Sequence, residues 1–159
     1  MSVRGYDWAR WVPGVQHVGS GARPMSRVFK IDSPGKIRNQ VMRTAAEAIR
    51  HLSQKSVLDG EAKDLAALLV YCLRQIATGV EETAWEKRDY WVKAERFRQR
   101  WAWADRTAAD LDNLIRKDAW DMLPGLLADL IPHFISFKVT RFTRKPSLWT
   151  GIYARLMAE

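Results

Sequence analysis

From Val80 to Lys117 the chain contains neither proline nor glycine, and this stretch constrains the fold more than any other. Within it Tyr90, Ala94, Phe97, Trp101, Ala104, Ala108, Leu111 and Ile115 alternate steps of four and three. Such spacing keeps every one of these residues on one side of an α-helix. The pattern predicts one long helix whose seam faces a core. Ala94, Ala104 and Ala108 permit close approach of a neighbouring backbone, while Phe97 and Trp101 fill the gaps between them.

A second series, Trp85, Arg88, Val92, Arg96, Gln99, Trp103 and Arg106, lies nearly opposite the seam. A purely solvated face has little use for two tryptophans among three arginines, so a covering is expected. Three coverings fit: the protein's own N-terminal or C-terminal segments, a protein partner anchored on Trp and Arg, or single-stranded nucleic acid stacked on the rings.

Two earlier helices are expected. Ser33 followed by Pro34 is a strong helix start, and Ile37, Val41, Ala45, Ala48, Ile49 and Leu52 then mark one face as far as Gln54. On its far side Lys36, Arg43 and Arg50 recur every seven residues and line up along the axis. Asp59, before Gly60 and Glu61, starts the next helix, with anionic residues suited to its first turn. Leu65, Leu68, Leu69, Cys72, Leu73, Ile76 and Val80 give it a broad apolar stripe, and Gly79 ends or bends it.

After Asp118, Pro124 and Gly125 are expected to divide the chain into two short helical pieces, with Pro132 interrupting again. Ser147, after Pro146, is the expected cap of a last helix carrying Leu148, Ile152, Tyr153 and Leu156. A strand-like alternation is faint and confined to 134–140. The fold class is therefore all-α: a bundle of about three long helices with short C-terminal helices. Three regions are expected: an irregular arm over 1–32, the helical bundle over 33–137, and a basic segment with a C-terminal helix over 138–159. The arm holds Tyr6, Trp8 and Trp11, aromatics that a merely disordered tail would lack. It is read, together with Trp85, as a partner-binding element.

Charge localises the functional expectation. The net charge is +8, and the excess lies in the first third of the chain and in the segment 138–145 (KVTRFTRK). Localised positive charge is the footprint of an anionic partner. In 138–145, cations alternate with hydroxyls and one phenyl ring, side-chain types that contact phosphate or stack.

Signals for catalysis are weak. Glu81, Glu82, Glu86 and Asp89 cluster without the Glu-x-x-His pairs a bundle metal site needs. Glu47 and His51 form a single four-spaced pair without a matching copy, and His17, His51 and His133 are scattered. Glycine-rich phosphate loops and nucleophile elbows are absent from the sequence. The single cysteine, Cys72, sits on an apolar helix face and reads as an inert thiol. With no apolar stretch of membrane-spanning or signal-peptide length, the chain is expected to be cytoplasmic.

The leading expectation is a non-enzymatic basic helical protein, without cofactor, metal or small-molecule substrate. It would contact a nucleic-acid backbone, single-stranded RNA or DNA, within a larger nucleoprotein assembly. The small helical subunits of CRISPR-type effector complexes share that general profile, which is an analogy of type only. Lys138, Arg141, Arg144, Lys145, Arg96, Trp103, Arg106, Lys36, Arg43 and Arg50 are the expected contacts. The competing expectation is a helical adaptor that binds protein through its Trp/Arg face and arm.

Overall fold

The computed structural model describes residues 34–78 and 91–159. Ser33, the arm residues Tyr6, Trp8 and Trp11, and Gly79 to Tyr90 (Trp85 included) lie outside the described residues. Among those described, the elements are α1 (Pro34–Gln54), α2 (Gly60–Thr78), α3 (Trp91–Arg116), α4 (Leu123–Leu130) and α5 (Ile152–Met157). Three single 3-10 turns join them, at Trp120–Met122, Ile131–Phe134 and Pro146–Leu148. No strand occurs among the described residues, so the class is all-α. No described helix is long and apolar enough to cross a membrane.

The core is organised around α2. Every residue from Leu65 to Leu73 is buried without a break, which over more than two turns means burial on every side. The sequence stripe located one face; Ala66, Ala67, Val70 and Tyr71 complete the circumference. α1 and α3 pack on α2 from two sides and α5 from a third. The α4 segment and its following turn bridge α1 and α3. The α3 seam lies where its spacing placed it: Ala94, Phe97, Ala104, Ala108, Leu111 and Ile115 are buried, and Trp101 is half-buried. In α1 the expected face, from Val41 to Leu52, is buried.

Helix ends follow local chemistry where short-range signals exist. Asp59 Oδ1 accepts the Ala62 N–H at 2.8 Å and caps α2. α3 ends with Asp118 in the left-handed region at φ 55°, and the Ala119 N–H returns to the Leu114 carbonyl at 3.0 Å. This is the six-to-one bond of a Schellman ending, with aspartate where glycine is usual. The Trp120 indole N–H donates to Asp118 Oδ1 at 2.7 Å and holds that residue in place.

Elsewhere the chain departs from the expectation. The Pro124–Gly125 pair lies inside the first turns of α4, and the break precedes it, at Met122. Proline in a first turn costs no hydrogen bond, so the helix runs through it. The strand-like alternation at 134–140 is turn and irregular chain, with the Phe137 N–H bonded to the Phe134 carbonyl at 3.0 Å. Ser147 sits in a separate 3-10 turn and does not cap the last helix. Instead α5 starts after Gly151 at φ 85°, and the Asp64 carboxylate, projecting from α2, accepts the Gly151 N–H at 3.1 Å and the Tyr153 N–H at 3.0 Å.

Two consequences are measurable. Leu69→Ala, at the fully buried centre of α2, is expected to lower unfolding free energy by about 2–5 kcal/mol in urea titrations, the range for a buried leucine in a tight core. The Asp59 carboxyl is held below the usual carboxylate range, first by the Lys55 ammonium bonded to it and then by the Ala62 N–H. A carboxyl depressed in the folded state stabilises above its unfolded pKa, and that contribution is lost as pH falls through the folded value. Asp59→Asn should therefore lower Tm at neutral pH, and the difference should shrink at pH values below the ordinary aspartate range.

Candidate polyanion interface

The net charge is segregated in three dimensions. Residues 34–54 and 138–145 together hold eight Lys/Arg (Lys36, Arg38, Arg43, Arg50, Lys138, Arg141, Arg144 and Lys145) against one acid, Glu47. Over 55–78 and 91–130 acids and bases are equal in number. The basic segment and α1 are also physically joined. The Arg50 guanidinium donates to the Val139 carbonyl at 2.7 Å. Glu47 accepts the Thr143 hydroxyl at 2.7 Å and the Thr143 N–H at 3.3 Å. Arg144 Nε donates to Thr44 Oγ1 at 3.1 Å. These pairings run in opposite senses along the two segments, so 139–144 lies antiparallel along α1.

Glu47 is the hinge of this arrangement. Its residue is 1% exposed, and a buried carboxylate is tolerated only when its oxygens are satisfied. Thr143 supplies two donors, and the Arg43 guanidinium lies 3.8 Å away, one turn back on α1. The single acid in this basic region is therefore turned inward and consumed in fixing the segment. Apolar contacts complete the seat: the Phe142 ring lies 5.6 Å from His51 and edge-on to Trp149 at 5.7 Å. Trp149 is buried.

The result sorts the expected contacts into two kinds. Lys36, Arg43, Lys138, Arg141 and Lys145 are exposed. Arg50 and Arg144 are half-buried anchors whose guanidinium groups hold the segment. Lys36, Arg43 and Arg50 span about 21 Å along α1 at 1.5 Å per residue, and 138–145 adds its cations beside them. At the C-terminal end of α1 this face meets a mixed-charge cluster, where His51 Nε2 and Glu61 are 2.7 Å apart and Lys55 contacts Asp59 and Glu61.

The remaining expected contacts lie apart, on α3. Arg96 and Arg106 are exposed there. Trp103 is covered from within the chain: its ring stacks on His133 at 3.8 Å with 6° between planes, and meets Phe134 edge-on at 5.9 Å. Of the three coverings that the sequence left open, the C-terminal segment occupies this position. Arg38, which the sequence reading passed over, packs over Phe97 and Trp101 at 5.6 and 5.0 Å and ties α1 to α3. Arg155 lies over Tyr71 at 6.0 Å, on the α5 side.

The groups considered for chemistry are otherwise engaged. Glu47 and His51 face Thr143 and Glu61. Among the described residues no three His, Cys, Asp or Glu side chains converge as metal ligands. Complete burial pushes the Cys72 thiol up to about 12, with the Arg144 charge opposing the shift. Such a thiol carries almost no nucleophilic thiolate at neutral pH. Comparison with protein-family models, curated proteins and solved structures returns no match to this chain.

The Glu47 contacts yield a direct expectation. Glu47→Ala removes the acceptor of two bonds and should destabilise the fold by roughly 1.5–3 kcal/mol, the range for hydrogen bonds to a charged group. Amide exchange at 139–144 should quicken beyond what the global loss explains, as read by hydrogen-exchange mass spectrometry. Glu47→Gln, which keeps one oxygen for Thr143, should fall between the variant and the parent.

Proposed function

We propose that this chain is a non-enzymatic helical protein that contacts a nucleic-acid backbone, single-stranded RNA or DNA, as a small subunit of a larger nucleoprotein assembly. The contact surface is the face built from α1 and 138–145. The observation that carries this reading is the segregation of charge: basic residues gathered on two adjoining segments whose one acid is buried. A surface kept soluble by charge alone needs no such sorting, and balanced charges elsewhere on the chain would serve equally.

The geometry favours phosphate contact over base reading. Lys36, Arg43, Lys138, Arg141 and Lys145 project from a segment and helix fixed to each other, so binding needs no ordering of their backbone, only of the side chains. Lysines act as point charges and arginines as donor forks toward phosphate oxygens. Phe142, the one ring in the basic segment, is turned toward His51 and Trp149. Stacking on bases from this segment is thus not required, and binding should tolerate any base sequence. Arg96 and Arg106 belong to a different helix and are secondary contacts in this reading.

Fluorescence anisotropy of labelled single-stranded oligonucleotides tests it. If about five phosphates are neutralised, log K should fall against log salt with a slope near −3.5, at ~0.7 per phosphate for single strands. Replacing Lys138, Arg141 and Lys145 together by alanine should reduce that slope by about 2, on the same constant, with little change in Tm. Arg96→Ala/Arg106→Ala should alter it much less. No binding to any oligonucleotide at low salt would overturn the proposal in favour of a protein-binding adaptor.

A further inference from the structure

The cations of α1 end at a notch. Arg43, Glu47, Arg50 and Gln54 step by four, three and four, which places them on one face of α1, and Gln54 is the last residue of that helix. Beside Arg50 and Gln54 a notch of about 40 Å³ opens between α1 and the segment 139–142. A space of this size has room for about three oxygen atoms of water size.

Its lining suits an oxyanion. Arg50 donates one bond to the Val139 carbonyl, and the rest of its guanidinium has no partner among the described residues. Arg141 also lines the notch; it is exposed and makes no hydrogen bond or ion pair among the described residues. The one acid in the lining is Glu47, whose carboxylate is taken by Thr143 and lies 3.8 Å from Arg43. Two guanidinium groups are thus left for a ligand, and Gln54 and Thr140 add an amide and a hydroxyl as neutral donors. The carbonyl end of α1 opposes an anion, but that partial charge is weaker than charge-assisted bonds from two guanidinium groups.

What lies beyond the notch limits the ligand. His51 is part of the lining, and Glu61 stands 2.7 Å from the His51 ring. Asp59 and Glu61 share the single Lys55 ammonium, and both carboxylates are exposed. A strand laid along the cations of α1 and carried past the notch would bring its next phosphates against these carboxylates, a like-charge juxtaposition. A strand that stops at the notch avoids it.

We infer that the notch seats a phosphate monoester between the guanidinium groups of Arg50 and Arg141, and that this monoester is the phosphorylated end of the bound strand. The strand-end assignment rests on the nucleic-acid reading above; the phosphate seat does not. A monoester presents three acceptor oxygens and about 1.5 to 2 negative charges near neutral pH. An internal diester presents two free oxygens and a single charge, so the monoester answers two guanidinium forks more fully.

The test has two arms, both on the full chain. Inorganic phosphate titrated at constant ionic strength into nitrogen-15-labelled protein should shift the Gln54 side-chain amide and the backbone amides of 139–142 saturably. Arg141→Ala should weaken that response about tenfold, the loss of one bond to a charged group. No saturable shift at these groups overturns the seat. In the second arm, fluorescence anisotropy compares one internally labelled oligonucleotide carrying hydroxyl ends, a 5′-phosphate or a 3′-phosphate. One phosphorylated form should bind about fivefold or more tighter than the hydroxyl form, and Gln54→Glu, which sets a carboxylate at the notch, should bring that ratio below about two. Lys138→Ala/Lys145→Ala should weaken all three forms and leave the ratio in place. Equal binding of the three forms, or a ratio untouched by Gln54→Glu, overturns the strand-end assignment and leaves the nucleic-acid reading standing. Binding of none of them overturns that reading and the strand-end assignment together, and the phosphate titration still decides the seat.

Discussion

The burial of α2 on every side is the constraint on which the other described elements depend. A helix with no solvated face must be enclosed, and α1, α3 and α5 pack against it, with the α4 region bridging α1 and α3. Each shell helix can then spend only one side on the core and must present the other outward. The outer sides of α1 and α3 were therefore obliged to be polar. The choice left to the sequence was which charges to place there, and α1 received cations almost alone.

That choice creates a problem which Glu47 resolves. An irregular basic segment lying along a basic helix is repelled by it, and nothing in 138–145 has the periodicity to form regular structure. A buried carboxylate with two donors from Thr143, supported by Arg50 on the Val139 carbonyl and Arg144 on Thr44, holds like charge against like. Concentrated positive potential of this kind is costly unless an anion neutralises it. In the proposed reading a polyanion would supply that neutralisation.

Much of the architecture was legible in the sequence because helices are specified locally. Pro34, Asp59 and the three-four seam of α3 act within a turn or two, and the structure places α1, α2 and α3 accordingly. What the sequence misjudged or left open at two points was decided by distant residues. Ser147 lost the cap of α5 to Asp64, 83 residues earlier by numbering, and of the coverings left open for Trp103 the structure supplies His133. Neither partner has any signal near the residue it serves.

The sequence by itself determined the all-α class, the starts of α1 and α2, the buried seam and the existence of two cation groups, since these rest on spacing and on side chains acting on neighbouring backbone. Only the tertiary structure decided that the Arg43–Arg50 part of α1 adjoins 138–145 while Arg96 and Arg106 stand elsewhere. It alone turned Glu47 inward and closed His133 over Trp103. The physical reason is that burial and long-range hydrogen bonds are set by which faces meet, and helical periodicity identifies a face without naming its partner.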